Sequence, residues 1–130
     1  MTYAELREFY EDYIAVLNAR EFHRLEEFIA EELTHFGDAV TRDQVVAALN
    51  AQVDAVPDLK WRLDDFRASG HEVAARLTNT GTPVKEWLGV APTGASFEVT
   101  EYALYRIRDG RFVNMTNLQD SDAARQQLGG

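Results

Sequence analysis

Two carboxylates held close together on an otherwise apolar surface can do acid/base chemistry, and Glu101 and Asp120 stand where a hairpin would bring them together. Asp109-Gly110 is a strong two-residue turn signal, because both central positions of a type I′ turn need positive φ. Counting back from that turn faces Arg108 with Arg111, Ile107 with Phe112, Tyr105 with Asn114, Ala103 with Thr116, Glu101 with Leu118 and Val99 with Asp120. In this register the ten residues of the five pairs from Ile107–Phe112 to Val99–Asp120 share one mostly apolar face. That inward face is expected to carry Glu101, Tyr105, Asn114, Thr116 and Asp120. Polar groups on a buried face must be hydrogen-bonded or serve a ligand. Two carboxylates in a dry site push one pKa upward, which suits general acid or base work near neutrality. Asp120-Ser121-Asp122 reads equally as a helix start with Asp120 as N-cap, and a bulge would turn Glu101 outward.

His35 is the third reactive candidate. It lies in Leu33-Thr34-His35-Phe36, at the expected mouth of the apolar face, where an imidazole can act as acid, base or ligand donor. A half-buried structural histidine is the plainer reading. His23 and His71 fall among charged and turn residues, and three histidines so scattered give no metal-ligand spacing. Trp61, Trp87, Phe97, Tyr102 and Tyr105 supply aromatic surface for a core, or for a cavity that takes a flat hydrophobic ligand.

The elements that must hold these groups follow from periodicity. Thr2-Tyr3-Ala4-Glu5 is a capping box, and Leu6, Phe9, Tyr10, Tyr13, Ile14 and Leu17 then recur at helical spacing. Phe22, Leu25, Phe28, Ile29 and Leu33 predict a second short helix. Thr41-Arg42-Asp43-Gln44 opens another, through Val45, Leu49 and Val53, which Pro57 ends. From Asp58 the period changes to two. Leu59–Leu63, Val73–Leu77, Phe97–Ile107 and Phe112–Leu118 read as strands, and Asp120–Leu128 as a terminal helix. Helices followed by an antiparallel sheet make an α+β fold. We expect one domain over residues 1–130, an open cone of helices closing a curved sheet around one pocket.

Composition narrows the chemistry. A formal net charge of −9 argues against nucleic acid and against an anionic membrane surface. Without cysteine there is no disulfide, thiolate catalysis or Cys-based zinc site. No apolar run approaches the roughly 18 residues of a membrane span. The acidic, amphipathic start carries no signal pattern, so a cytoplasmic protein is expected. Glycine-rich phosphate loops and dinucleotide fingerprints are missing.

Gly81-Thr82-Pro83 followed by Gly89 and Pro92-Thr93-Gly94 resembles the Gly-Thr-His, Gly, Pro-Thr-Gly series of the SnoaL-like polyketide cyclases. Val56-Pro57-Asp58-Leu59, Arg106-Ile107-Arg108-Asp109-Gly110-Arg111 and Gln127-Leu128-Gly129 are similar to further motifs of that family, so the likeness runs from about Leu17 to Gly129. The resemblance implies the nuclear transport factor 2-like cone, a deep pocket, pairing through the outer sheet face as a homodimer, and catalysis without metal or organic cofactor. Family members close a ring by intramolecular aldol condensation, using an aspartate after the last strand whose position falls on Asp120. His35 falls near a histidine common in the family. Three positions depart from the pattern: Asn114 and Thr116 stand for a glutamate and a tryptophan, and Pro83 for the histidine. These departures imply a larger or wetter pocket floor and one polar anchor fewer.

The functional expectation is thus an acid/base enzyme acting on a hydrophobic, polyketide-like small molecule. Asp120 and His35 are its catalytic candidates, with Glu101, Tyr105, Asn114, Thr116, Trp61 and Trp87 as substrate contacts. A non-catalytic carrier of an apolar metabolite is the alternative. Epoxide hydrolysis would need Arg76 to face inward, against the claim of Ala75 and Leu77 to that side.

Overall fold

A computed structural model describes residues 1–129. The chain begins with helix α1 (Tyr3–Ala19), whose N-terminus is closed by the Thr2/Glu5 capping box. Its buried side is Leu6, Tyr10, Tyr13, Ile14, Val16 and Leu17. Each such side chain contributes about 1.5–3 kcal/mol on leaving water, so this stripe fixes the helix against the sheet. A 3-10 turn (Phe22–Glu27) follows, then strands β1 (Ile29–His35) and β2 (Asp38–Thr41), helix α2 (Arg42–Ala55) and the long strands β3 (Lys60–Ser69) and β4 (Glu72–Gly81). After an irregular stretch come β5 (Phe97–Arg108), β6 (Arg111–Gln119) and the short helix α3 (Ser121–Gln127).

The second expected helix is therefore a 3-10 turn running into a strand. Ile29 and Leu33 are four residues apart, a spacing that fits one face of a helix or of a strand. Both are buried, and β1 pairs with β2 and β6. The sheet has six strands in the order β2-β1-β6-β5-β4-β3. It is mixed, because β1 runs parallel to β6 while every other pair is antiparallel.

At the β5–β6 turn the expected register holds for two pairs, Arg108 with Arg111 and Ile107 with Phe112. Asp109 and Gly110 both take positive φ, 52° and 75°, as a type I′ turn requires. A bulge then absorbs Val113, and Arg106 pairs with Asn114. From there Tyr105 faces Met115, Ala103 faces Asn117 and Glu101 faces Gln119. A one-residue slip turns every later side chain to the other face.

Strand β5 keeps a strict alternation, with Phe97, Val99, Glu101, Ala103, Tyr105 and Ile107 buried. Its inner face meets α1 through an aromatic cluster: the Tyr105 ring lies 4.6 Å from Phe112, Tyr13 lies 5.1 Å from Phe112, and Tyr10 lies 5.2 Å from Tyr105. Asn18 clamps the helix end to β3 by accepting from the Trp61 N–H at 2.9 Å and donating to its carbonyl at 2.8 Å. The helices close one side of the curved sheet, and the space between them is a cavity.

Candidate active site

The cavity has a volume of about 440 Å³, within the range of small-molecule sites. Helix α1 lends it Tyr10, Tyr13, Ile14 and Leu17, and α2 lends Gln44, Val45, Leu49 and Gln52. The inner sheet face adds Trp61, Leu77, Asn79, Glu101, Tyr105, Met115, Asn117 and Gln119. His35 and the Trp87-Leu88 pair complete the wall.

Among the described residues Glu101 is the one carboxylate in this lining, and it is 8% exposed. Burial pushes its carboxyl above the usual glutamate value, while the Asn79 and Asn117 amides oppose the shift. Asn79 Nδ2 makes no hydrogen bond of good geometry, so that opposition is weak and burial dominates. Gln119, the cross-strand partner of Glu101, donates from Nε2 to Asn79 Oδ1 at 2.8 Å. The acid therefore stands among three carboxamides and no cation.

Above it lie the tyrosines. The hydroxyls of Tyr10 and Tyr105 share a 3.0 Å hydrogen bond, and burial drives both pKa values up, so both stay neutral. One hydroxyl donates to the other, which leaves the second proton available to a ligand oxygen. His35 ends β1, and its Nδ1 lies 2.7 Å from the Met115 carbonyl. A carbonyl only accepts, so Nδ1 carries a proton, and in the neutral ring Nε2 presents a lone pair.

Glu101, Tyr105, His35, Trp61 and Trp87 line one cavity. The two β6 candidates, Asn114 and Thr116, do not. Beyond the bulge Asn114 and Thr116 belong to the opposite face, where Asn114 Oδ1 accepts from Thr34 Oγ1 at 2.9 Å. The substitution at Thr116 accordingly changes the outer surface rather than the cavity floor. Tyr102 is 61% exposed on the same outer face. Pro83 is buried but does not line the cavity. Arg76 is exposed and pairs with Asp64 at 3.7 Å, so the two-acids-and-base arrangement is not built.

Asp120 does not share the cavity wall with Glu101 either. Its N–H donates to the Thr100 carbonyl at 3.0 Å, and its Oδ1 accepts from the Ala123 N–H at 3.1 Å. It is the exposed N-cap of α3 and does not line the cavity. Of the polar residues that do, Gln44, Gln52, Asn79, Asn117 and Gln119 are not among the candidates the sequence suggests. Asn79 had a signal: it continues the inward alternation of Val73, Ala75 and Leu77. Asn117 and Gln119 had none, because their facing depends on the bulge.

The same architecture recurs in solved structures. TsrD from Streptomyces laurentii superposes with a TM-score of 0.90 at 27% identity, over 99% of this chain and 98% of that one. Wild-type IdmH from Streptomyces antibioticus gives a TM-score of 0.86 at 26% identity, over 95% and 98%. A SnoaL-like polyketide cyclase from Agrobacterium tumefaciens shares the fold with a TM-score of 0.88 at 22% identity, over 95% and 98%. No curated protein matches the chain. The family profile of the SnoaL-like polyketide cyclases matches residues 5–128, so the likeness runs from α1 to α3. The fold is the nuclear transport factor 2-like cone, and the chain belongs to the SnoaL-like polyketide cyclase family.

Proposed function

We propose that the protein is an acid/base enzyme of cyclase type, acting on a hydrophobic, carbonyl-bearing small molecule in the cone, with Glu101 as proton acceptor. The buried Glu101 carboxyl on the cavity wall carries this reading. A carboxylate with a raised pKa is a stronger base, and it sits closer to working pH. It takes a proton from carbon next to a carbonyl, and the free hydroxyl proton of the Tyr10–Tyr105 pair serves the oxygen where charge develops. His35 Nε2 accepts from a substrate hydroxyl, fixing orientation or relaying the proton. Holding both ends of one molecule in a shaped cavity favours ring closure. These residues supply proton acceptor and donor between them, in keeping with a reaction that uses no added cofactor.

Asp120 is the competing base, favoured by family position. The two are separated by following exchange of the acidic C–H of ethyl benzoylacetate in D2O, by NMR, above the buffer rate. Glu101→Gln is expected to lower the protein-catalysed rate by about a hundredfold or more, the usual scale for losing a general base. Asp120→Asn is expected to keep it. The reverse result would assign the chemistry to Asp120. Binding without any exchange in the parent protein would make the cone a carrier site.

A further inference from the structure

The bulge at Val113 puts Gln119 on the inner face, directly across from Glu101, with β5 between it and Asn79 on β4. Gln119 nevertheless reaches over β5, and its Nε2 donates to Asn79 Oδ1 at 2.8 Å. Asn79 stands opposite Val99 and is the next inward residue after Leu77, the β4 partner of Glu101. The bridge therefore passes beside the Glu101 carboxyl. A carboxamide has one accepting end and one donating end. With Oδ1 taken by Gln119, the end left to Asn79 is Nδ2, which is buried and has no hydrogen bond elsewhere in the protein. The Asn79 amide acts on Glu101 as a donor does, favouring the charged carboxyl. Turned over, it would offer Glu101 a carbonyl oxygen, which favours the protonated acid instead. Gln119 decides between the two.

We propose that Gln119 is a positioning residue for Glu101: through Asn79 Oδ1 it locks that carboxamide with its donor end beside the carboxyl, supporting the anion where the lining supplies no lysine or arginine. The catalytic consequence rests on Glu101 being the proton acceptor, whereas the positioning itself does not. The other titratable groups of the lining are Tyr10 and Tyr13 from α1, Tyr105 from β5 and His35 at the end of β1, while α2 adds only the uncharged Gln44 and Gln52 as polar groups. Burial keeps the three tyrosines neutral. His35 is followed through its own ring protons in the titration below.

The test is an NMR pH titration of the 13C-labelled Glu101 side-chain carboxyl, assigned with Glu101→Gln, in the parent protein and in Gln119→Met, which keeps length and bulk but cannot donate. In the parent, the side-chain amide of Asn79 is expected to shift with the same midpoint as Glu101. Gln119→Met should move that midpoint upward, and so should Asn79→Leu. The double variant should match Asn79→Leu alone, because Gln119 acts through Asn79. Exchange of ethyl benzoylacetate should fall by about three- to tenfold in Gln119→Met at pH values below the midpoint, the scale of one hydrogen bond, and recover above it. Loss of a merely structural bond would lower the melting temperature and leave the midpoint in place. An unmoved midpoint in Gln119→Met, or an Asn79 amide in the parent that ignores the titration of Glu101, would overturn the assignment. Midpoints that move as expected while Glu101→Gln keeps its exchange would uphold the positioning and remove Glu101 as the base. The parent-protein titration stands even if Asn79→Leu fails to fold.

Discussion

Glu101 and Asp120 show how far environment outweighs residue type. Both are acids near the end of the β5–β6 hairpin, yet one is walled in by carboxamides and the other closes a helix in solvent. Their expected responses differ accordingly. A carboxyl whose folded pKa is raised holds its proton in the folded state over a range where the unfolded chain has lost it. Stability therefore falls as pH rises through that range. Below about pH 4, near the unperturbed glutamate value, both states are protonated and the effect vanishes. Above the folded pKa the penalty is complete and constant. The melting temperature of Glu101→Gln relative to the parent should therefore climb as pH rises above about 4 and level off once the folded carboxyl has lost its proton. A difference that stays flat with pH would mean an ordinary carboxyl. For Asp120 the prediction concerns the cap. Asp120→Ala should lose about 1 kcal/mol in urea denaturation, and Asp120→Asn a few tenths at most, because asparagine caps as well as aspartate.

At the scale of elements, much was legible where one physical signal acted alone. The capping boxes at Thr2 and Thr41 start helices as expected, and the Asp109-Gly110 pair turns the chain with both φ values positive. The alternation of β5 put Glu101 and Tyr105 inward. What could not be read were features set by tertiary pairing. Val113 is unremarkable in sequence, yet its bulge sends Asn114 and Thr116 outward and brings Asn117 and Gln119 to the cavity. Ile29–His35 fits two periods, and only pairing with β2 and β6 decides between them. Close approach is another such feature. At the end of β4, a Cβ on Gly81 would lie 2.3 Å from Cγ1 of Val56, a fully buried and stiff side chain at the end of α2. Gly81→Ala should therefore destabilise by about 1–3 kcal/mol, the usual cost of overpacking. Combining it with Val56→Ala should cost less than the sum of the two changes, because the second removes the obstruction. Strict additivity in denaturant titrations would put the origin elsewhere.

At the scale of the molecule, the inner sheet face is filled by helices and cavity, whereas the outer face is left uncovered. Tyr102, Leu104 and Leu118 project from it with exposures of 61%, 58% and 64%, and Tyr102 pairs across the strands with Leu118. Large apolar side chains clustered on one sheet face mark a contact surface more often than chance exposure. Pairing of two copies through this face, which the family resemblance implied, would bury them. An isologous contact repeats each residue about a two-fold axis, so one substitution acts twice. Leu104→Glu should therefore turn a dimer into a monomer in light scattering at micromolar concentration, with the fold intact by circular dichroism. Each copy carries a net charge of −9, and association must work against that repulsion. Salt screens it, with a Debye length of about 8 Å at physiological strength, so the dimer should tighten as salt is raised. Dissociation on adding salt would instead point to an interface held by ion pairs, such as those around Arg106 and Glu72. A parent protein that is monomeric at every salt concentration would leave this apolar face for a different partner.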